Sequence, residues 1–301
     1  MKNDVVRSPL FYVGDKYKLI SEIKKHFPEN INRFVEPFVG GGSVFMNIEA
    51  KEFALNDIDT NIIEIHKMLC GYASDRCEFY RKVEEVVEQY GLSCSYKKDI
   101  VPNELKKEFV KTFYAKFNKE GYEALRSEYN QSYERSVFYL YILLIYGFNR
   151  MIRFNKSGNF NLPVGNVDMN QNTIKALNDY FDITIIKKPQ WFNLDFEDFI
   201  DKIEVTQNDL VYLDPPYLLT FSEYNKYWND KTEIRLLDLL NKLNARNIRF
   251  AISNVIHYKG KTNQLFLDWS QQYNSHPIKS NYISYHDNTN KIFTEVLVTN
   301  Y

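Results

Sequence analysis

The sequence predicts an α/β fold in which a parallel sheet domain is split by a mainly helical insert. Three observations carry this. The opening third alternates strand, turn, helix, strand and helix, the opening of a parallel sheet. From about Cys70 to Gly147 the alternation stops and the pattern is helical. Strand signals then return with helical stretches between some of them. The division expected is a sheet domain over 1–69 and 169–301, with the insert over 70–168. A chain of 301 residues, 44% of them hydrophobic, is long enough for such a core plus an insert.

"RFVEPFVGGGSVF" reads as a strand from Arg33 to Val35, a glycine-rich turn, and a helix from about Ser43. "FALND" is the next strand, ending on Asp57, and "TNIIEIHKML" a helix with Thr60 or Asn61 as its N-cap. In the insert, Leu105, Phe109, Phe113 and Phe117 recur every four residues and mark one apolar face. "SVFYLYILLIYG" is apolar all round and reads as a buried helix. "MIRFNKSGNFNLPVG" reads as a hairpin, with a Lys-Ser-Gly turn between short aromatic strands. Further strands are expected at Asp182–Lys187, in "DLVYLD", at Ile248–Asn254 and at Glu295–Asn300, with a helical stretch at Glu233–Leu243.

The 23 Tyr and 22 Phe are many for a globular chain; most must be core, and a Tyr/Phe-rich core alone and rings that stack on flat ligands are both open. A net charge of −1 argues weakly against a nucleic-acid partner, but distribution matters more than the sum. Seven lysines against three acids lie between Lys97 and Lys119; phosphate contact and a solvated helix face are both open for them. Cys70, Cys77 and Cys94 form no Cys-x-x-Cys pair and read as reduced residues of a cytoplasmic protein. The start "MKNDVVRSPL" lacks the apolar core of a signal peptide, and no apolar run reaches the ~20 residues of a membrane span. No His/Cys/Asp cluster has metal-ligand spacing, so no metal is expected.

Two stretches carry chemistry. Gly40 to Gly42 stand between a strand and a helix, where a bare backbone lets a ligand approach and N–H groups point outward. Their spacing is neither that of a dinucleotide site nor that of a phosphate loop. With Asp57 placed to accept from ribose hydroxyls, the pair suits a nucleoside without a pyrophosphate and points to S-adenosylmethionine; a plain tight turn is the competing reading. In "DLVYLDPPY" the strand ends on Asp214. Pro215 and Pro216 then fix the backbone and present carbonyls, and Tyr217 adds a flat face. The Asp214 carboxylate and the Pro215 carbonyl can hold one planar amino group while Tyr217 stacks on its ring. A strand-to-loop turn with an exposed acid is the alternative.

"EPFVGGGSVF" followed by "DPPY" resembles the DNA adenine-N6 methyltransferases in the order of the alpha group, the Dam-type enzymes, with the target-recognition insert between the two motifs. "SPLFYVGDKYKLI" is similar to the N-terminal cofactor motif, with Asp15 standing where that motif has its second glycine. "GFNRMIRFNKSGNFNLPVG" resembles the DNA-reading hairpin. "DPPYLLTFSEYNKYW", and "FAISNV" followed by "HYKGK", are similar to the phage branch of Dam methylases. The resemblance covers nearly the whole chain. It implies a Rossmann-like S-adenosylmethionine-dependent methyltransferase domain acting on N6 of an adenine flipped out of duplex DNA, within GATC. It implies catalytic roles for Asp214, Pro215, Pro216 and Tyr217. Cofactor contacts are implied for Tyr12, Gly14, Lys16, Glu36, Pro37, Phe38, Gly40, Gly42, Asp57 and Asp214. Asp195 and Phe196 resemble further cofactor contacts, although an acid and a core aromatic at a strand end would look the same.

DNA contacts are implied for Phe148, Asn149, Met151, Asn155 and Pro163. Arg153 is the candidate base reader, because a guanidinium pairs with guanine O6 and N7; a surface or phosphate-contacting arginine is the alternative. Phe11 stands where cellular Dam enzymes carry a lysine that helps read the first guanine. Duplex DNA is the expected partner and a monomer the expected state. A companion restriction endonuclease, a regulatory role and a phage role all stay open. Methylation of cytosine N4 or of RNA is the nearest competing activity, and a DNA-binding protein on an inactive methyltransferase fold is a reading of another class.

Overall fold

The computed structural model describes residues 5–98, 100–220, 228–278 and 293–301. Residues 221–227, inside the segment that resembles the phage branch, and the first four of the N-terminal stretch lie outside them. The sheet consists of β1 (Arg33–Glu36), β2 (Glu52–Asn56), β3 (Gln190–Phe192), β4 (Leu210–Leu213), β5 (Arg249–Tyr258), β7 (Asn274–Ile278) and β8 (Thr294–Thr299). Their spatial order is β3-β2-β1-β4-β5-β8-β7, and the short β6 (Lys261–Thr262) pairs with β5. The first five run parallel, and β8 runs antiparallel to both its neighbours.

Alternation along these strands builds two cores, as the two-residue period of a strand requires. Phe34, Leu55, Leu210 and Tyr212 enter one; Val35, Ala54, Val211 and Leu213 enter the other. Helices α8 (Phe196–Ile203), α9 (Asp230–Ala245) and α10 (Gln264–Ser270) cover the second face. The first face is covered by α2 (Thr60–Tyr72), α3 (Arg76–Gln89), α5 (Phe113–Gln131), α6 (Val137–Tyr146) and α7 (Gln171–Lys187). Short helices α1 (Ile20–Ile23) and α4 (Asn103–Glu108) complete the set. Residues of 70–168 therefore share one continuous core with the sheet. Every residue of α6 from Leu140 to Tyr146 is buried, as its all-round apolarity predicts.

Several expectations change. Asp182–Lys187 is not a strand but the last turns of α7. Its β-branched residues favour a strand locally, but Ile174, Leu177, Phe181 and Thr184 continue a buried helical face that Asn170 caps through the N–H groups of Asn172 and Thr173. The strand beside β2 is instead Gln190–Phe192. No α-helix starts at Ser43: the glycine turn leads into a single 3₁₀ turn, Phe45–Asn47, after which Ile48 is extended. The carbonyls of Phe45, Met46 and Ile48 accept from the Lys187 ammonium rather than from a continuing helix. The N-cap of α2 is Asp59, one residue before the expected pair. The Leu105–Phe117 stripe is broken between α4 and α5, and the buried face of α5 is Asn118, Tyr122, Leu125 and Tyr129.

Candidate active site

Strand order reverses between β1 and β4, and in an open α/β sheet that switch opens a crevice outside the carboxyl ends of the strands. The chain places its candidate residues there. Glu36 ends β1, Asp57 follows β2, and Asp214 follows β4. Lys16 reaches Asp214, with Nζ 2.7 Å from Oδ2. The Tyr217 hydroxyl lies 2.9 Å from the other Asp214 oxygen, and Lys16 Nζ stands 5.0 Å from the centre of the Tyr217 ring. Burial, then the charge of Asp214, pushes the Tyr217 hydroxyl far above the usual tyrosine range, so it stays protonated. Burial is also the first cause that raises the Glu36 carboxyl well above its ordinary value, with Asp214 the second. Glu36 is 1% exposed, and among the described residues its Oε2 has no hydrogen-bond partner.

The glycine turn is gripped from two sides. Gly40 N–H donates to Asp57 Oδ2 at 2.9 Å, and the Gly40 carbonyl lies 2.9 Å from His66 Nε2. A carbonyl only accepts, so the imidazole carries its proton on Nε2, and Nδ1 accepts from the Tyr180 hydroxyl at 2.9 Å. The His66 ring stacks on Trp191 with centroids 4.4 Å apart. Burial pushes His66 down to about 4 and Asp57 up to about 6. Asp57 accepts backbone N–H groups on both oxygens, from Gly40 on Oδ2 and from Asp59 on Oδ1. Tyr12 lies against the turn: a Cβ on Gly41 would sit 2.8 Å from Tyr12 Cβ, so glycine is required there. The bare turn, the half-buried acid and the orphaned Glu36 oxygen fit a ligand that brings donors and a flat ring, as S-adenosylmethionine does.

Other candidates have different surroundings. Gly14 holds a φ of +85° with open space where a Cβ would stand. Pro37 accepts through its carbonyl from Asn56 Nδ2 at 3.0 Å. Asp195 caps α8 by accepting from Glu197 N–H and pairs with Arg235 at 2.8 Å, apart from the Lys16–Asp214 group. Phe196 is buried between Phe38 and Trp228, at centroid distances of 5.5 and 6.2 Å.

The DNA candidates cluster on the hairpin. Its strands are single bridges, Gly147 with Val164 and Phe154 with Phe160. Phe148 is 52% exposed, and its N–H donates to the Pro163 carbonyl at 2.8 Å. Asn149 and Arg150 both hold positive φ, 54° and 49°, a strained pair in ordinary residues. Met151 packs on the first core. Asn155 builds the turn, its Oδ1 accepting from Ser157 and Asn159 N–H. Arg153 is braced across the hairpin: Nε donates to Asn161 Oδ1 at 2.9 Å and Nη2 to the Asn161 carbonyl at 2.8 Å.

Sequence reasoning missed three residues. Glu295, 2% exposed in β8, lies 3.0 Å from the Tyr217 hydroxyl and 3.7 Å from Lys16 Nζ. An acid leading the apolar run "EVLV" was its signal. His66 was legible as a lone histidine on the apolar face of α2. Arg150, whose guanidinium stacks 3.8 Å from the Phe11 ring and donates to Thr173, gave no signal in sequence. Among the described residues no three His, Cys, Asp or Glu converge as a metal site, and no helix is long and apolar enough to cross a membrane.

The mostly parallel sheet, with its glycine turn after β1, acid after β2 and Asp-Pro-Pro-Tyr after β4, fits the S-adenosylmethionine-dependent methyltransferase fold. The chain belongs to the D12 class N6 adenine-specific DNA methyltransferase family, which it matches over residues 12–283. It is 36% identical to the type II methyltransferase M.FokI of Planomicrobium okeanokoites over 99% of this chain and 43% of that protein. It is 34% identical to the modification methylase StsI of Streptococcus sanguinis over 98% of this chain and 43% of that protein. It is also 28% identical to the DNA adenine methylase of Vibrio cholerae, over 82% of this chain and 81% of that protein. The chain thus spans under half the length of its first two relatives.

Proposed function

We propose that the chain transfers a methyl group from S-adenosylmethionine to N6 of an adenine in duplex DNA. The observation that carries this is the Asp214–Tyr217 element at the switch point, within a chain of the D12 class. The cofactor, when bound, supplies a methyl group on a sulfonium. Tyr12, Gly14, Lys16, Glu36, Pro37, Phe38, Gly40, Gly42 and Asp57 hold it, with Asp195 and Phe196 beyond them.

The adenine amino nitrogen is a poor nucleophile because its lone pair is delocalised into the ring. Asp214 and the Pro215 carbonyl accept its two N–H groups, favour a more tetrahedral nitrogen and stabilise the positive charge that develops there. As the N–C bond forms the S–C bond would break, leaving a neutral thioether, and the methylated nitrogen would then lose one proton to solvent. The target atom lies inside the helix, so the base must leave the stack at a cost of a few kcal/mol. Tyr217 recovers part of this by stacking, worth ~1–3 kcal/mol per base.

Span 70–168 is the DNA-recognition segment. The hairpin presents Phe148, Asn149, Met151, Asn155 and Pro163 to DNA, with Arg153 as base reader. The likeness of its motifs to the phage branch supports GATC as the site, and relatives named DNA adenine methylase support adenine as the target. The higher identity to proteins named modification methylases supports a role beside a companion restriction endonuclease. A cytoplasmic monomer is the state proposed. The test is to treat unmethylated DNA with the protein and labelled cofactor and to sequence the modified adenines. N6-methyladenine confined to GATC is expected; methyl on cytosine, or none with DNA binding retained, overturns the reading.

A further inference from the structure

We propose that Glu295 is a positioning residue for methyl transfer: it offsets the charge of Lys16 and anchors the Tyr217 hydroxyl, leaving the charge of Asp214 available to the target amino group. This rests on the function proposed above. The two donors that reach Asp214 also reach Glu295. Lys16 Nζ is 2.7 Å from Asp214 Oδ2 and 3.7 Å from Glu295 Oε1. The Tyr217 hydroxyl is 2.9 Å from Asp214 Oδ1 and 3.0 Å from that same Glu295 oxygen. A hydroxyl carries one proton, so it donates fully to only one carboxylate at a time.

The two acids differ in depth. The Asp214 side chain is 19% exposed and faces the crevice, whereas those of Glu295 and Lys16 are 1% and 3% exposed behind it. Methyl transfer places positive charge on N6 beside Asp214. A buried ammonium in contact with Asp214 opposes that charge, and in a site this enclosed the opposition is strong. Glu36 relieves it less, because burial and then the charge of Asp214 raise its carboxyl well above the ordinary value. Glu295 is an acid close to Lys16 besides Asp214, at 3.7 Å. With all three groups ionised, the Lys16–Asp214–Glu295 group carries one net negative charge; with Glu295→Gln, none.

The variants Glu295→Gln, Glu295→Asp, Lys16→Met and Lys16→Met/Glu295→Gln test this in single-turnover transfer at saturating cofactor and DNA. Glu295→Gln is expected to slow transfer about ten- to a hundredfold, less than the roughly 10²–10³ for a lost direct contact, with cofactor and DNA affinities retained. Glu295→Asp keeps the charge and should retain more of the rate than Gln. Removing Lys16 as well should make the double variant faster than Glu295→Gln alone, an outcome that a purely structural role does not produce. Thermal unfolding of cofactor-free wild type, Glu295→Gln, Lys16→Met and the double variant gives a second readout: the double variant should lose less than the sum of the single losses. Glu295→Gln as fast as wild type, Asp no better than Gln, a double variant no faster than Glu295→Gln, or additive unfolding losses would each overturn the proposal. A wild type that leaves DNA adenine unmethylated overturns the function instead.

Discussion

His66→Gln isolates the cost of keeping a neutral histidine under the glycine turn. The glutamine amide can still donate to the Gly40 carbonyl, but it does not titrate. In the folded protein burial holds His66 at about 4, against 6.5 ordinarily. Below 6.5 the unfolded chain takes up a proton that the folded chain refuses until about 4, so stability falls as pH drops through that window. At about 1.4 kcal/mol per pKa unit this amounts to about 3 kcal/mol. Asp57 works in the opposite sense, because its raised value favours the folded state at low pH and that contribution fades as pH rises through about 6. It is present in both proteins and cancels in their difference. The assay is urea unfolding of wild type and variant from pH 7 down to about pH 4, the lower limit set by the His66 value. Wild type should be the more stable at neutral pH, with its margin shrinking by about 3 kcal/mol on acidification. Parallel curves would show that His66 takes up a proton as readily in the fold as in the unfolded chain and that burial does not hold it neutral.

Asp214→Ala should lower transfer by roughly 10²–10³ while calorimetry still detects cofactor binding; more than a tenth of the wild-type rate, on that same scale, would refute its role. Arg153→Ala should relax discrimination at one guanine by ~1–3 kcal/mol, read as kcat/KM on duplexes with each guanine replaced. A uniform loss with a salt slope shallower by about one would place the side chain on phosphate instead. Gly121→Ala would set a Cβ 1.9 Å from the Tyr90 carbonyl oxygen. Since backbone must move, a loss of about 1–3 kcal/mol or more in urea unfolding is expected, and an unchanged midpoint would contradict the α5 packing.

The parts legible in the sequence were those in which local pattern and long-range packing agree. "FALND" and "DLVYLD" alternate correctly, and their acids emerge at the crevice because a strand that ends in a parallel sheet leaves its next residue there. The run "DITIIK" misled because β-branched residues favour strands locally, while the helical face begun at Thr173 decides the outcome. The helix expected after Gly42 gives way to one 3₁₀ turn, whose carbonyls accept from Lys187 far along the chain. Glu295 was hidden for a related reason: its partners Lys16 and Tyr217 lie 279 and 78 positions away, a pairing no local pattern encodes. Asp57 was read as facing a ligand, and the structure adds that it first holds its own turn.

The double grip on Gly40 bears on the entropy of ligand capture. Fixing one residue of backbone costs ~1–2 kcal/mol in lost conformational freedom, and a glycine gives up more than any other residue. Asp57 on its amide and His66 on its carbonyl impose that loss while the chain folds. A ligand reaching the turn meets peptide groups already oriented, and its contacts go into affinity instead of into ordering the loop.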